Sequence, residues 1–301
     1  MRKWLYGIFF LSAVALVGHL IGQECKDQKK FWDYHPLHVG GNLIFLGKAG
    51  VDVRGGPRTG DLTFNKENLY TYFLLPVNEC TFFLPRIEWN TFTMDWDKNP
   101  RFHSKHFHYV QFALGFFTEG LENWEWIARI NYNIDSEHFN HPKTYGLFEA
   151  LLWGVHELAE KWHYHIGACG YTGFRGQEIY PIIGLDYELN KKWFFQAVFP
   201  ITYSVEYSFN NRWSLSLKGR PLKERFRSGG HEPSPRSVFS YSTMGAELNL
   251  RYEKFLRLEF ELFGGYNFGG DFYIKDNTGH NSLYTHLKGA PYVGASLNWG
   301  I

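Results

Sequence analysis

The feature that most constrains this chain is a two-residue alternation of apolar and polar side chains. Between Ile201 and Phe209 every odd-numbered position is apolar or aromatic, and every even-numbered position is polar. Because successive side chains of a β-strand point to opposite faces, this pattern predicts a strand with one apolar and one polar face. Similar segments of about 9–11 residues recur along the chain, and that length lets a tilted strand cross a bilayer. The predicted strands cover residues 37–47, 68–77, 82–96, 106–118, 123–134, 145–156, 162–173, 178–189, 192–199, 201–209, 212–220, 237–252, 255–268 and 284–301.

The connections between these strands largely alternate in length. Short links such as Asn190–Lys191 and Asn210–Asn211 are followed by longer ones such as residues 221–236 and 269–283, although a very short link at Phe199–Pro200 interrupts the alternation. Short turns at one end and longer loops at the other are typical of transmembrane barrels. The pattern therefore predicts an all-β fold, a single closed antiparallel transmembrane β-barrel of about 14 strands. Twelve strands remain the alternative if the first segments, or those around the Phe199–Pro200 link, are wrongly assigned.

The composition favours a membrane barrel over a soluble sandwich. Aromatic residues make up 19% of the chain, charged residues 20%, and the formal net charge is +1. A barrel in a bilayer places aromatic side chains on its lipid-facing surface and at both interfaces. Periodicity alone also fits an aromatic-rich sandwich, whose polar face meets solvent instead of a lumen. The near-neutral charge does not indicate nucleic acid as a partner, and no nucleotide-binding motif or other cofactor signature is present.

The last eleven residues form the most characteristic of the predicted strands, with an apolar face that ends in Trp299 and Ile301. This segment resembles the terminal strand of bacterial outer-membrane β-barrel proteins, and the chain resembles such a barrel of porin-like size. Residues 193–217 and 256–270 also resemble uncharacterised outer-membrane barrel families, which supply no known catalytic residues. The resemblance implies a location in the bacterial outer membrane, contacts with outer-membrane lipids, and recognition by the barrel-assembly machinery. It identifies four residues as the assembly signal, Val293, Leu297, Trp299 and Ile301.

The N-terminus is typical of a secretory signal. Arg2 and Lys3 precede an almost uninterrupted apolar stretch, Trp4–Ile21. A positive start followed by an apolar core predicts a signal peptide, residues 1–24, ahead of a barrel formed by residues 25–301. An uncleaved anchor helix is the alternative, because the stretch is just long enough to span a bilayer.

The polar faces of the predicted strands carry many charges at mid-strand. In a barrel these side chains line the lumen, where cross-strand pairs of opposite charge stabilise one another. The predicted lumen residues are Arg86, Glu88, Glu125, Arg129, Asp186, Glu188, Glu206, Lys218, Glu247, Arg251, Arg257, Glu259 and Glu261. Acidic residues outnumber basic ones in this set, so we predict a porin-like channel for small polar solutes or ions with a mildly acidic lumen. Glu247, Glu259 and Glu261 are expected to form one acidic patch facing Arg251 and Arg257. A closed lumen filled by paired side chains, in a structural or adhesive barrel, is the alternative.

Candidate catalytic and metal sites are weak. A lipid-modifying barrel enzyme, such as a phospholipase or a lipid A deacylase, would need a Ser–His pair near one rim. The segments Gly279–Ser282 and His231–Ser234 contain both residue types but no recognisable motif. His163 and His165 share one strand face, yet no third metal ligand is identifiable. We therefore predict neither catalytic nor metal-binding residues. The three cysteines contain no CxxC pair and leave open which two could form a disulfide.

Overall fold

The computed structural model describes most of the chain as β-strands. The described residues are 36–53, 58–97, 105–121, 123–135, 146–171, 178–228, 230–233, 237–255, 258–275 and 282–300. The strands are β1 (Leu37–Val53), β2 (Arg58–Phe73), β3 (Leu75–Asn78), β4 (Thr81–Trp96), β5 (His106–Leu121), β6 (Trp124–Asp135), β7 (Leu147–Ala159), β8 (Trp162–Tyr171), β9 (Glu178–Asn190), β10 (Trp193–Phe199), β11 (Thr202–Ser208), β12 (Trp213–Arg227), β13 (Val238–Phe255), β14 (Leu258–Lys275) and β15 (Ser282–Gly300). The predicted signal peptide lies outside the described residues.

The strands form one antiparallel sheet that closes on itself. Strands adjacent in sequence pair with one another, except that β2 and β3 both pair with β4. β1 pairs with β15 in a register that sets His38 opposite Gly300 and Leu46 opposite Tyr292. The four-residue β3 continues the line of β2 against β4, so the 15 strands make a 14-strand barrel with one extra strand. The predicted all-β closed barrel and its strand number are confirmed. Among the described residues no helix is long and apolar enough to cross a membrane.

The two faces of the strands follow the alternation in the sequence. Leu217, Ile183 and Val293 point outward and are more than half exposed. Side chains of the alternate register point into the barrel; Glu247 and Asn249, on either side of the exposed Leu248, are almost fully buried. An apolar outer face with a polar inner face is the arrangement of a transmembrane barrel, because lipid meets the outside and the lumen meets polar groups.

The short turns use asparagine side chains as acceptors. Asn210 Oδ1 accepts hydrogen bonds from the backbone N–H groups of Arg212 (2.8 Å) and Trp213 (3.1 Å). Asn190 Oδ1 does the same for Lys192 (2.9 Å) and Trp193 (3.1 Å). Asparagine side chains that bond the backbone two residues on are typical of tight turns, which is why these positions were predictable.

Several strands are longer than predicted. The first strand was expected to end at residue 47, but β1 continues to Val53 after a shift in its pairing with β2 between Leu46 and Ala49. Such a bulge changes which face the following side chains point to, so the alternation stops while the strand goes on. β13, β14 and β15 reach 18 or 19 residues.

Candidate functional site

Two ends of the barrel are distinguished by their connections. The lower end holds the start of β1, the end of β15 and the short turns, and the upper end holds the long connections. The lumen differs in character between these ends, and its lower half is polar.

Ion pairs cover the inner wall of the lower lumen. Arg251 Nη2 lies 2.6 Å from Glu206 Oε1, and Lys218 Nζ lies 3.3 Å from Glu261 Oε1. All four side chains are partly exposed to the interior. Partly exposed ion pairs of this kind give the inner wall a hydrated surface that carries both positive and negative charges.

A cavity of about 600 Å³ lies next to these pairs and is called the lower cavity. Its walls come from the lower parts of β9 to β13, and they are mostly polar or charged. Representative lining residues are Glu188, Gln196, Ser204, Glu206, Lys218 and Arg251. A space of this size and polarity holds many water molecules or a small polar solute.

A second polar network lies on the other side of the lower lumen. Glu88 accepts hydrogen bonds from Asn68 and from Arg86 Nη2, the latter at 2.5 Å. Asn68 also bonds to Asn90 (3.1 Å), and the Arg86 guanidinium lies 4.1 Å from the centre of the Tyr70 ring. These groups come from neighbouring strands and share one face, so they stabilise the wall as cross-strand pairs.

Most of the predicted lumen residues lie on the inner register. These are Arg86, Glu88, Arg129, Asp186, Glu188, Glu206, Lys218, Glu247, Arg251, Glu259 and Glu261. Glu125 has the same register as Arg129 but is exposed near the lower end. Arg257 lies outside the described residues. Of the predicted assembly signal, Val293, Leu297 and Trp299 are exposed on the outer face, and Ile301 lies outside the described residues.

The expected acidic patch is divided by bases from β12. Glu247 is fully buried and contacts Arg220 (3.3 Å) and the Tyr292 hydroxyl, which donates to it at 3.0 Å. Lys218 takes Glu261 as its partner, and Arg251 pairs with Glu206 instead of the patch. Arg251 is the ladder partner of Glu261 between β13 and β14, yet its guanidinium turns the other way, to Glu206 of β11.

A cluster of apolar side chains from opposite walls lies in the upper half of the lumen. The Phe107 ring centre lies 5.8 Å from that of Phe239, and the Phe64 ring centre lies 5.2 Å from that of Tyr241. These contacts join β5 to β13 and β2 to β13, strands that are far apart around the barrel. Phe239 has no exposed surface. We call this cluster the upper plug; its larger members are Leu62, Phe64, Phe92, Met94, Trp96, Phe107, Tyr109, Phe239, Tyr241, Phe272, Ile274 and Leu287.

The plug exists because part of the wall turns into the barrel. Cα atoms of β12 come within 8 Å of Cα atoms of β6, although five strands separate the two in the sheet. β12 pairs with β13 without a register shift, so Lys223 shares the outward register of Leu217. Yet the Lys223 ammonium contacts Glu178 and Tyr180 of β9. These two residues have the inward register, since Ile179 between them is exposed on the outer face.

The outward-register face of upper β12 therefore lies against the inner face of the opposite wall. We call residues 220–227 of β12 and 238–243 of β13 the inturned segment. Its other face carries Phe239 and Tyr241 and forms one side of the upper plug. Lys66 Nζ of β2 also reaches across to Glu224 Oε1 of this segment, at 2.5 Å.

Sequence reasoning missed the charged residues of the inturned segment. It ended the strand at residue 220 and assigned residues 221–236 to a long connection. Pro221 faces Met244 of β13 within an unbroken ladder, and the strand continues to Arg227. The alternation of Leu222 and Glu224, which face the lumen, with Lys223 and Arg225 was the available signal.

The histidine clusters form no metal site in the described part of the chain. His165 is buried, receives a hydrogen bond from Trp153 Nε1 (3.0 Å) and lies 2.9 Å from Asp186 Oδ2. No group of three or more potential metal ligands occurs among the described residues. Of the two Ser–His segments, 279–281 and Ser234 lie outside the described residues. Cys80 is disulfide-bonded and Cys169 has a free thiol, whereas Cys25 lies outside the described residues.

Comparison with known proteins places the chain in a family. Residues 94–300 match the family described as Domain of unknown function (DUF6268). The chain belongs to this family. An uncharacterized protein of Chlamydia pneumoniae is 26% identical over 193 residues, which is 63% of this chain and 60% of that protein. An uncharacterized protein of Chlamydia muridarum is 22% identical over 310 residues, which is 98% of this chain and 96% of that protein.

Among solved structures, this DUF6268 chain resembles the COG4313 outer membrane channel from Pseudomonas putida F1. The TM-score is 0.50 at 9% sequence identity, and the match covers 92% of this chain and 98% of that one. This likeness shows a shared fold, and it confirms the resemblance to outer-membrane β-barrel proteins that the sequence indicated.

Proposed function

We propose that this DUF6268 protein is an outer-membrane channel that rests in a closed state. The observation that carries the proposal is the division of its lumen. A polar cavity of about 600 Å³ lies in the lower half, and side chains from opposite walls meet across the upper half. In this proposal the lower end faces the periplasm, where the short turns and both chain ends of outer-membrane barrels lie.

The lumen is closed by side-chain contacts, which can separate without breaking the β-sheet. The plug joins side chains across the lumen through ring contacts, whereas the main-chain ladders of the inturned segment join β12 to β13 and β13 to β14, on one side of the lumen. An apolar constriction that excludes water can gate a pore by its presence or absence. The structural neighbour with the matching fold is itself described as an outer membrane channel, which supports the proposal.

The lower cavity supports small polar solutes or ions as the permeating class. Glu188, Glu206 and Glu247 line it together with Lys218, Arg220 and Arg251. Fixed charges of both signs bind hydrated solutes weakly enough to release them, which conduction requires. The mildly acidic character predicted from the sequence stays part of the proposal, because Glu259 and Glu261 add negative charge on β14.

The experiment is recording of the refolded protein in planar bilayers. We expect rare openings for the wild type and frequent openings for Phe107→Ala/Phe239→Ala, because both rings bridge the lumen. The matched control is Phe112→Ala/Phe268→Ala, which removes two exposed rings from the outer face and should behave like the wild type. Absence of conductance in all three proteins would overturn the channel and favour a closed structural barrel.

A further inference from the structure

The barrel wall has a gap beside the inturned segment. β10 and β11 contain seven residues each, whereas β9 contains 13 and β12 contains 15. The β9–β10 ladder ends at Ile183 and the β11–β12 ladder ends at Gly219. Above this hairpin, residues 178–182 and residues 220–227 therefore have no strand paired on the sides that face each other, within the described part of the chain.

Side chains, and not main-chain hydrogen bonds, close this gap. Lys223 Nζ donates to Glu178 Oε2 and to the Tyr180 hydroxyl, both at 2.9 Å. Arg225 Nη2 lies 2.8 Å from Glu178 Oε1. One carboxylate thus holds two cations of the inturned segment against β9.

The surroundings of the Lys223 ammonium are those of a binding site for an organic cation. Its nitrogen lies 4.2 Å from the centre of the Tyr180 ring and 4.8 Å from the centre of the Tyr171 ring. A carboxylate, a hydroxyl acceptor and two aromatic faces together are the groups that recognise ammonium ions in proteins.

The site can be reached from outside the lumen. A cleft of about 570 Å³ borders it, lined by Glu178, Tyr180, Lys223, Asp271, Tyr273 and His286. The cleft is at the upper end of the barrel, where the outer face of β14 and β15 carries charged side chains such as Asp271, His286 and Lys288. Charged residues on that face place it in water and not in hydrocarbon.

We propose that Lys223 occupies, as a built-in ligand, a binding site for an organic ammonium group on Glu178, Tyr180 and Tyr171. A solute amine that enters through the cleft displaces Lys223, releases the inturned segment and favours the open channel. The inference rests on the channel function proposed above and names the gate and the solute class that acts on it. No covalent step is involved, since one ammonium group replaces another.

The first experiment tests whether Lys223 holds the gate. Lys223→Cys in a Cys169→Ser background should open about tenfold more often than the background alone, because a charge-assisted contact is lost. Modification with aminoethyl methanethiosulfonate restores an ammonium group and should reverse the effect, whereas the uncharged methyl reagent should not. Lys161→Cys, an exposed lysine in a lower turn, is the matched control and should respond to neither reagent. Equal effects of the two reagents on Lys223→Cys would overturn the role of the ammonium.

The second experiment tests the solute site. Addition of n-butylammonium chloride on the upper side should raise the opening frequency of the wild type, whereas sodium chloride at equal ionic strength should not. Glu178→Gln should open more often without any amine, because Lys223 and Arg225 lose their carboxylate, and butylammonium should raise its opening frequency no further. An equal response to both salts means screening only and would overturn the site. The Phe107→Ala/Phe239→Ala variant separates the two proposals. If this variant conducts while butylammonium does not change the opening frequency of the wild type, the channel function stands and the ammonium site is refuted.

Discussion

Truncation of one plug ring should destabilise the barrel and open it. Phe239 has no exposed surface, and its ring contacts those of Phe107 (5.8 Å) and Phe272 (6.1 Å). Replacement of a buried phenylalanine by alanine lowers the free energy of unfolding by about 3–5 kcal/mol, through lost burial and the cavity left behind. Part of that loss weakens the closed state relative to the open state of the inturned segment. A change of about 1.4 kcal/mol shifts such an equilibrium tenfold. We therefore expect Phe239→Ala to raise the open fraction of the channel by ten- to a hundredfold, roughly.

The assay combines urea unfolding of the refolded protein, followed by the loss of heat-modifiable mobility, with opening frequency in planar bilayers. Phe268→Ala is the matched control, since Phe268 is 63% exposed on the outer face and forms no part of the plug. We expect this variant to lose less than about 1 kcal/mol, because surface substitutions are usually small in effect. Equal losses in the two variants, or an unchanged opening frequency for Phe239→Ala, would refute a plug made by the wall.

Three further predictions concern assembly, selectivity and turns. Trp299→Asp should abolish outer-membrane assembly, seen as loss of heat-modifiable barrel from the membrane fraction, because it puts a charge on the lipid face of the closing strand. Glu259→Gln/Glu261→Gln should shift the reversal potential across a salt gradient toward anions, while Glu247→Gln should also destabilise the barrel, because Arg220 would lose a buried partner. Asn210→Ala should lower the free energy of unfolding in urea by about 1 kcal/mol, since two backbone N–H groups lose their acceptor; no change would show that water replaces it.

The sequence by itself determined the barrel. Two-residue alternation such as that of Ile201–Phe209 specifies which side chains face lipid and which face the interior, and the asparagines at residues 190 and 210 mark tight turns. These are local properties, because the pleat of a strand and the conformation of a turn depend on neighbouring residues alone. The same alternation restricts strand register, since a slip by one residue would move every apolar side chain to the wrong face.

Only the tertiary structure decided which walls of the barrel meet inside the lumen. Alternation assigns Lys223 and Arg225 to the outward face, but it cannot tell that this face meets β9 of the same barrel instead of solvent. That contact arises because the β10–β11 hairpin is too short to fill the wall between its longer neighbours. The plug has the same origin, since Phe107 and Phe239 meet across the lumen through a sequence separation that no periodic pattern encodes. Strand pairing is specified by nearest neighbours, whereas closure of the lumen depends on which walls come together once the sheet has curved shut.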